Sequence, residues 1–542
     1  MMLQRTYLPG IFCLVFALQM LSAQTYQESI KLTPSDRDTF DFFSGHMATD
    51  GAFAIVGAVG TDENAAGTNF LDNAGGAYLF EYNPADGSWT ERQKLIASDR
   101  SAGDELGYRV AVSGAIAVAT SFRNRLDENG ANPMQDAGAA YIFERQPNGN
   151  WAELQKLVPA DRAPVDRFGR GLAITEGHTI FVGAPDEDPE VNGSPAVSGA
   201  GAVYVFEKNP ENQWTEQQKL VASDLTTGDN FGYAVAVDGD VALVGAFGKD
   251  RTEGGEFYNV AGAAYFFERQ SDGEWLQTQK VESPEPVAEA FFGHEVALKG
   301  DYAVIAADEE SVFEGGGAEI TQAGAVYVYH RDGNGLWTFE GRLTAPDPDV
   351  KDHFGFSVAI EWPMLLIGAY QDEEDANEED ALNQAGAAFI FESSEDGEWE
   401  WVQKLAASDR ATSDFYGRSV AIAGEQLLVG SFRTAFAGTG AAALNGAGGV
   451  YIYNPMTTHT LEAALIRAEV FPNPTSGAIR VVLPNLHSSV EASILTIDGR
   501  PIADHMFQYT QTLDFSLPGP AGIYLLRLAT EDGAATWRLI KQ

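Results

Sequence analysis

One segment is written seven times in this chain, and no other feature constrains the fold as strongly. The clearest copy runs from Asp229 to Phe247, continues through a polar loop into Ala261–Glu268, and ends on Trp275–Val281. One glycine recurs as Gly107, Gly169, Gly232, Gly293, Gly355 and Gly417, at intervals of 62, 63, 61, 62 and 62 residues. A tryptophan keeps step with it at Trp89, Trp151, Trp214, Trp275, Trp337 and Trp399. A fixed period of this length in a strand-rich chain implies a propeller or another repeat array.

Each repeat carries four strand-like runs. In the clearest copy, Phe231–Val237 and Val241–Ala246 are short apolar runs, parted by the hairpin signal Asp238-Gly239. Ala263–Glu268 is rich in aromatics, and after the turn Ser271-Asp-Gly273 a fourth run opens at Trp275. Such a meander a–b–c–d is one propeller blade. The recurring Gly232, Gly245 and Gly262 fall at strand ends, where a Cβ would crowd a neighbouring blade or a tight bend. The aromatic of strand c, Tyr265 and its counterparts, is expected to pack between blades.

The two ends of the array complement each other. Gln27–Leu32 resembles a d strand with no a–b–c before it, while Gly449–Tyr453 is a c strand with no Trp-containing d strand after it. The first strand should therefore complete the seventh blade and close the ring, which leaves only short, protected sheet edges. The predicted fold is all-β: a seven-bladed propeller of four-stranded blades over residues 24–456, then a small antiparallel β-sandwich. The a–b and c–d hairpins share the bottom face. The longer b–c and d–a loops share the top, where the repeats differ most, so the top is the candidate binding surface.

Residues 1–23 read as a secretory signal: Arg5, then the apolar run Ile11–Leu21, then Ser22-Ala23. Cys13, the only cysteine, lies inside it, so the mature chain would have no disulfide, thiol nucleophile or cysteine-ligated zinc. Residues 457–466 read as a linker. Residues 467–542 break the period with short alternating strands at Ile479–Leu483, Glu491–Ile497, Thr512–Leu517, Gly522–Leu528 and Thr536–Lys541.

With 78 acidic and 34 basic residues, the chain carries a formal charge of −44. No basic patch is evident, which argues against nucleic-acid and anionic-membrane partners. The charge suits a soluble extracellular monomer. Phosphate-loop, zinc-protease and serine-hydrolase motifs are missing, and the eight histidines are scattered. An Asp-x4-Asp spacing recurs in the d–a loops at Asp36/Asp41, Asp99/Asp104, Asp161/Asp166, Asp224/Asp229, Asp347/Asp352 and Asp409/Asp414. It is expected to cap loop N–H groups. The candidate metal ligands lie in two top loops: Asp186, Asp188 and Glu190 in blade 3, and Asp372, Glu373 and Asp375 in blade 6. The blade 6 run also contains Glu374, Glu378, Glu379 and Asp380. Several carboxylates on a flexible loop suit Ca²⁺.

The Phe-Gly element followed by Gly-Ala-Pro, whole in the third repeat as Phe168-Gly169 and Gly183-Ala-Pro185, resembles the FG-GAP repeat of integrin α-chain propellers. The first two repeats depart from it, with Ser44 at the glycine position and Ala119-Thr120 in the second element. Integrin repeats often carry a calcium loop between strands a and b. Here those turns, such as Asp50-Gly51, are too short, and that site is not carried over. The tail is similar to the type A C-terminal sorting domain of the type IX secretion system. The matching residues are Phe471-Pro-Asn-Pro-Thr-Ser-Gly477, Ile497-Asp-Gly-Arg500, Gly522–Arg527 and Leu539-Ile-Lys541. That resemblance implies export across the outer membrane, with release or surface attachment.

The expected function is therefore a secreted or surface-attached, non-enzymatic binding propeller, adhesive toward an extracellular protein or glycan. A hydrolase of polysaccharide or phosphoester working on the top face is the first rival. A structural surface-layer component is the second.

Overall fold

The computed structural model describes residues 25–456, except 65, 191–193, 314–318, 378–379, 395–396 and 436–443. It also describes 469–541, except 472–474, 477, 497–500, 519–521 and 531–532. The secretory signal, the linker, Glu378 and Glu379, and parts of the tail motif lie outside the described residues. The chain divides into two compact units, Met1–Pro455 and Met456–Gln542.

The first unit is a seven-bladed propeller: seven four-stranded antiparallel sheets, each a meander. In blade 4, strand a is Val235–Asp238, b Val241–Ala246, c Ala263–Arg269 and d Trp275–Val281. Strand a lines the central channel in every blade. Strand a is shorter than its apolar run suggests, because the Phe-Gly element leaves the sheet. Phe231 bridges instead to Gly201 of the preceding blade, as Phe168 does to Gly138 and Phe292 to Gly262. The glycines follow from this close approach. A Cβ on Gly245 would lie 1.9 Å from the Gly293 carbonyl oxygen of the next blade. One on Gly232, at φ +91°, would lie 2.5 Å from that of Ala202. The b–c loops of blades 4 and 5 carry extra hairpins, Arg251–Glu253 with Glu256–Tyr258 and Val312–Phe313 with Glu319–Ile320. Neither was apparent in the sequence.

The ring closes as expected. Tyr26–Leu32 is the fourth strand of blade 7 and pairs antiparallel with Gly449–Pro455, from Tyr26 opposite Pro455 to Leu32 opposite Val450. A side-chain clasp then ties blade to blade. Gln93 Nε2 donates to the Trp151 carbonyl at 2.7 Å, and Trp151 N–H donates back to Gln93 Oε1 at 2.8 Å. Gln155 with Trp214, Gln218 with Trp275, and Gln279 with Trp337 repeat the exchange. At the closure Gln403 makes it with Tyr26. The Gln of the recurring Gln-Lys-Leu is thus an inter-blade connector.

The Asp-x4-Asp spacing divides two tasks. The second aspartate caps a loop: Asp104 accepts from the Ser101 N–H at 2.8 Å, and Asp41, Asp166, Asp229, Asp352 and Asp414 do likewise three residues after their donors. The first aspartate holds the blade edge. Tyr78 and Lys94 both donate to Asp36 at 2.8 Å, and Asp99, Asp161, Asp224 and Asp409 take the same pair of partners. Blade 5 lacks the pair, and Glu310 of its b–c loop substitutes, accepting from Tyr327 at 2.8 Å and Arg342 at 2.6 Å. The strand-c tyrosines therefore anchor loops as well as fill space.

Burial pushes the carboxyls of Asp41 and Asp352 up to about 7, and that of Asp414 up to about 6, from 3.8. A carboxyl with a raised value in the folded state adds stability at low pH, and loses it as pH rises from about 4 through 7. Asp161, Asp224 and Asp409 are shifted down, so their opposing effect falls below that window. The melting temperature is therefore expected to be higher at pH 5 than at pH 8. The triple replacement Asp41→Asn, Asp352→Asn and Asp414→Asn should flatten the dependence measured by calorimetry.

The second unit holds one antiparallel sheet of five strands, with Ala478–Thr496 in the middle. The two runs read as Ile479–Leu483 and Glu491–Ile497 are one strand, with an irregularity between Val482 and His487. That strand pairs with Pro501–Ser516 along most of its length and with Gly522–Thr530 from Val490 onward. Val481, Leu483, Ile494, Leu513, Leu526 and Leu539 form a separate core. None of the described helices is long and apolar enough to cross a membrane.

Candidate functional site

The residue after the Phe-Gly glycine ends the inter-blade bridge and stands at the top of the channel. It reads Gly45, Tyr108, Arg170, Tyr233, His294, Phe356 and Arg418 around the ring. The residue that follows strand b stands beside it and reads Val59, Phe122, Pro185, Phe247, Asp308, Tyr370 and Phe432. The backbone is repeated, so side chains alone give this mouth its chemistry. Several of them line a cavity of about 410 Å³, a volume in the range of small-ligand sites.

Rings and guanidiniums alternate around it. Tyr108 meets Phe122 with centroids 4.5 Å apart, and the Arg170 guanidinium lies 4.9 Å from the Tyr108 centroid and 4.2 Å from that of Phe122. Tyr233 meets Phe247 at 4.8 Å and His294 at 4.9 Å. His294 meets Phe356 at 5.7 Å, and Phe356 meets Tyr370 at 4.3 Å. Arg418 lies 4.9 Å from the Phe356 centroid and 4.6 Å from that of Phe432, which stacks on Phe42 at 4.9 Å. Cation–π attraction of this kind is strongest where water is excluded.

The floor of the mouth is an ion pair across the channel. Arg109 of blade 2 donates to Glu295 of blade 5 at 2.9 Å, and its Nε donates to the Arg170 carbonyl at 3.1 Å. Both side chains face the mouth above and the channel below. Glu105, whose carboxyl burial pushes up, is held by Arg123 at 3.0 Å. Burial lowers the His294 imidazole, but Asp308 at 3.0 Å outweighs it and the net shift is upward.

The expected metal ligands are engaged inside the top loops. Asp186 pairs with Arg167 at 3.1 Å, and Asp188 accepts from the Gly199 N–H at 2.7 Å. With Glu190 they line one cleft, together with Asp161, Asp166, Glu187 and Lys219. Asp166 there is pushed up to about 8, by burial and by the neighbouring Glu187. In blade 6, Asp372 is buried with Lys404 at 3.1 Å, Glu373 accepts from Asn383 at 2.7 Å, and Asp375 accepts from the Asn377 N–H at 2.9 Å. These three point to separate partners. Among the described residues, ligand atoms of three such groups come within 4.8 Å of one another at Asp308, Glu309 and His353, a trio absent from the sequence reading. Two carboxylates and an imidazole suit a borderline transition ion better than Ca²⁺, which favours an all-oxygen shell.

Ring, clasp and Phe-Gly bridge define a class, and family comparison agrees. The FG-GAP repeat family matches seven times, over residues 26–80, 89–143, 151–206, 214–267, 275–329, 337–391 and 399–453. The chain belongs to that family. Residues 469–542 match the secretion system C-terminal sorting domain, so this is an FG-GAP propeller carrying a type IX export tail. Integrin alpha-6 of Gallus gallus is 26% identical over 230 residues, covering 40% of this chain and 20% of that protein. The match thus spans about a fifth of the integrin's length. Among solved structures, a Lactobacillus plantarum protein is 10% identical at TM-score 0.42, covering 68% of this chain and 86% of its own. A candidate 6-phosphogluconolactonase of Bacteroides uniformis is 12% identical at TM-score 0.45, covering 71% and 89%.

Proposed function

We propose that this protein is an extracellular binding propeller, adhesive and non-enzymatic, and that the channel mouth takes its ligand, a surface protein or glycan. The observation that carries this reading is the contrast between a repeated scaffold and a non-repeated ring of half-exposed aromatics and arginines at its top. Binding is favoured over hydrolysis by how the polar groups are spent. Glu295 and Glu105 are each held by an arginine. The two serines of the mouth donate into carbonyls, Ser357 to Gly417 at 2.8 Å and Ser419 to Ser44 at 2.7 Å. A nucleophile would need its hydroxyl free for a base.

Calcium is proposed as a weak, accessory ligand of the blade 3 cleft and the blade 6 loop. The support at blade 3 is that Asp186, Asp188 and Glu190 line one cleft with Asp161 and Asp166. An array of extracellular proteins and glycans, run with calcium and with chelator, tests both parts. Retained binding is expected for wild type. A loss of tenfold or more is expected for the double variant Phe356→Ala, Phe432→Ala, with a smaller loss on chelation. Full binding by the double variant would show that the mouth is not the binding site.

A further inference from the structure

The mouth is cationic in a protein of formal charge −44. Of the charged side chains lining it, Arg109 and Glu295 neutralise each other, and Glu105 is neutralised by Arg123 from outside. Arg418 and Arg433 remain. Neither has an ion-pair or side-chain hydrogen-bond partner among the described residues, and the Arg418 Nε is buried without an acceptor. Arg418 is held between the rings of Phe356 and Phe432, and Arg433 lies 5.0 Å from Phe415 and 5.8 Å from Phe42. Ring faces fix a guanidinium plane but leave its N–H fork unsatisfied. Arg418 is half-buried, and such a guanidinium with no acceptor is costly unless one arrives from outside, whereas Arg433 is exposed and adds its charge at the rim.

We propose that the mouth binds an acidic sugar residue of an extracellular polysaccharide, a uronate, with its carboxylate on Arg418 and Arg433. This rests on the mouth being the binding site. A planar carboxylate takes two parallel N–H bonds from one guanidinium, which an ammonium cannot offer. The C–H face of a pyranose carries small positive charges and packs on the negative face of an aromatic ring. Phe42, Tyr108, Tyr233 and Phe356 line the same cavity, while the Phe432 ring is sandwiched between Arg418 and Phe42. The cavity, about 410 Å³, admits one or two sugar units. An acidic peptide fits less well, because its carboxylate rides on a flexible stem whose ordering costs free energy, whereas a pyranose ring holds its carboxylate rigidly. Field focusing in a cleft of one sign would gather anions even though the rest of the surface repels them.

The test is a calorimetric titration of the full mature chain with oligogalacturonate, its neutral galactose counterpart, a sulfated galactan oligomer and a glutamate oligomer. The uronate is expected to bind at least tenfold more tightly than the neutral sugar, and less tightly as salt rises. Arg418→Gln should lose tenfold or more of that affinity, and Arg418→Lys should keep part of it through charge while losing the fork. Tighter binding of the sulfated oligomer would replace carboxylate by sulfate and overturn the uronate assignment. Tighter binding of the glutamate oligomer would overturn the sugar. If Arg418→Gln and Arg418→Lys bind every sugar as wild type does, while Phe356→Ala abolishes binding, this inference fails and the mouth stands. If Phe356→Ala is also without effect, both fail. Should Arg418→Gln not fold, the Lys variant and the neutral sugar still decide.

Discussion

Removal of residues 24–34 is expected to unfold the propeller or lower its stability by about 5 kcal/mol or more, as much as many domains possess. The strand lost, Tyr26–Leu32, supplies the fourth strand of blade 7. Tyr26 and Leu32 are buried in two different blade-to-blade cores, and burying such side chains contributes about 1.5–3 kcal/mol each. Gln403 would lose its clasp partner, and Asp409 and Tyr451 would lose Lys31, which donates to them at 2.9 Å and 2.6 Å. Strand Gly449–Pro455 would become an open edge. Thermal and urea melts of the truncated chain measure the effect. An unchanged melting temperature would show that the ring does not depend on its closing strand. Gln403→Ala, which cuts only the clasp, should cost about 1–3 kcal/mol, because it leaves the Tyr26 backbone groups short of partners.

Deletion of 467–542 is expected to abolish appearance outside the cell while leaving the propeller folded. Each unit carries its own core: the seven blades pack on one another, and the tail sheet packs on Val481, Ile494, Leu513 and Leu526. Residues 469–542 match the sorting domain. Fractionation should find the truncated protein in the periplasm, with a melting curve matching that of the intact propeller. Normal amounts in the medium or on the surface would show that the tail is not the export signal.

Much of this fold was legible because a repeat multiplies weak signals. One Phe-Gly pair says little, but the same glycine at six positions spaced by five near-equal intervals sets the blade period, and the mismatched ends at Gln27–Leu32 and Gly449–Tyr453 show the closure. The glutamine clasp was hidden because a d strand is read by its alternation. Gln218 and Gln403 look like ordinary outward polar residues until the next blade is in place. The tail's long strand was divided in two because Pro484 and Asn485 suggest a turn, whereas the strand passes through them. The mouth was missed for another reason. The variation between repeats is most conspicuous in the long top loops, while Tyr108, Arg170, Tyr233, His294, Phe356 and Arg418 sit one residue beyond the motif glycine, inside the repeated element. Aligning the repeats and reading that column alone would have revealed it. The Asp308–Glu309–His353 trio joins two blades and has no signal in spacing.

A ligand held at the top of the channel, by side chains the repeats do not share, should leave a footprint in amide hydrogen exchange of the whole propeller, measured with and without a ligand found on the array. Bound ligand is expected to slow exchange in the segments that open strand a, at Tyr108-Arg109, His294-Glu295, Phe356-Ser357 and Arg418-Ser419, and to leave the a–b turns such as Asp238-Gly239 unchanged. Protection confined to the a–b and c–d turns of the opposite face, with the four mouth segments exchanging as in the free protein, would contradict that placement.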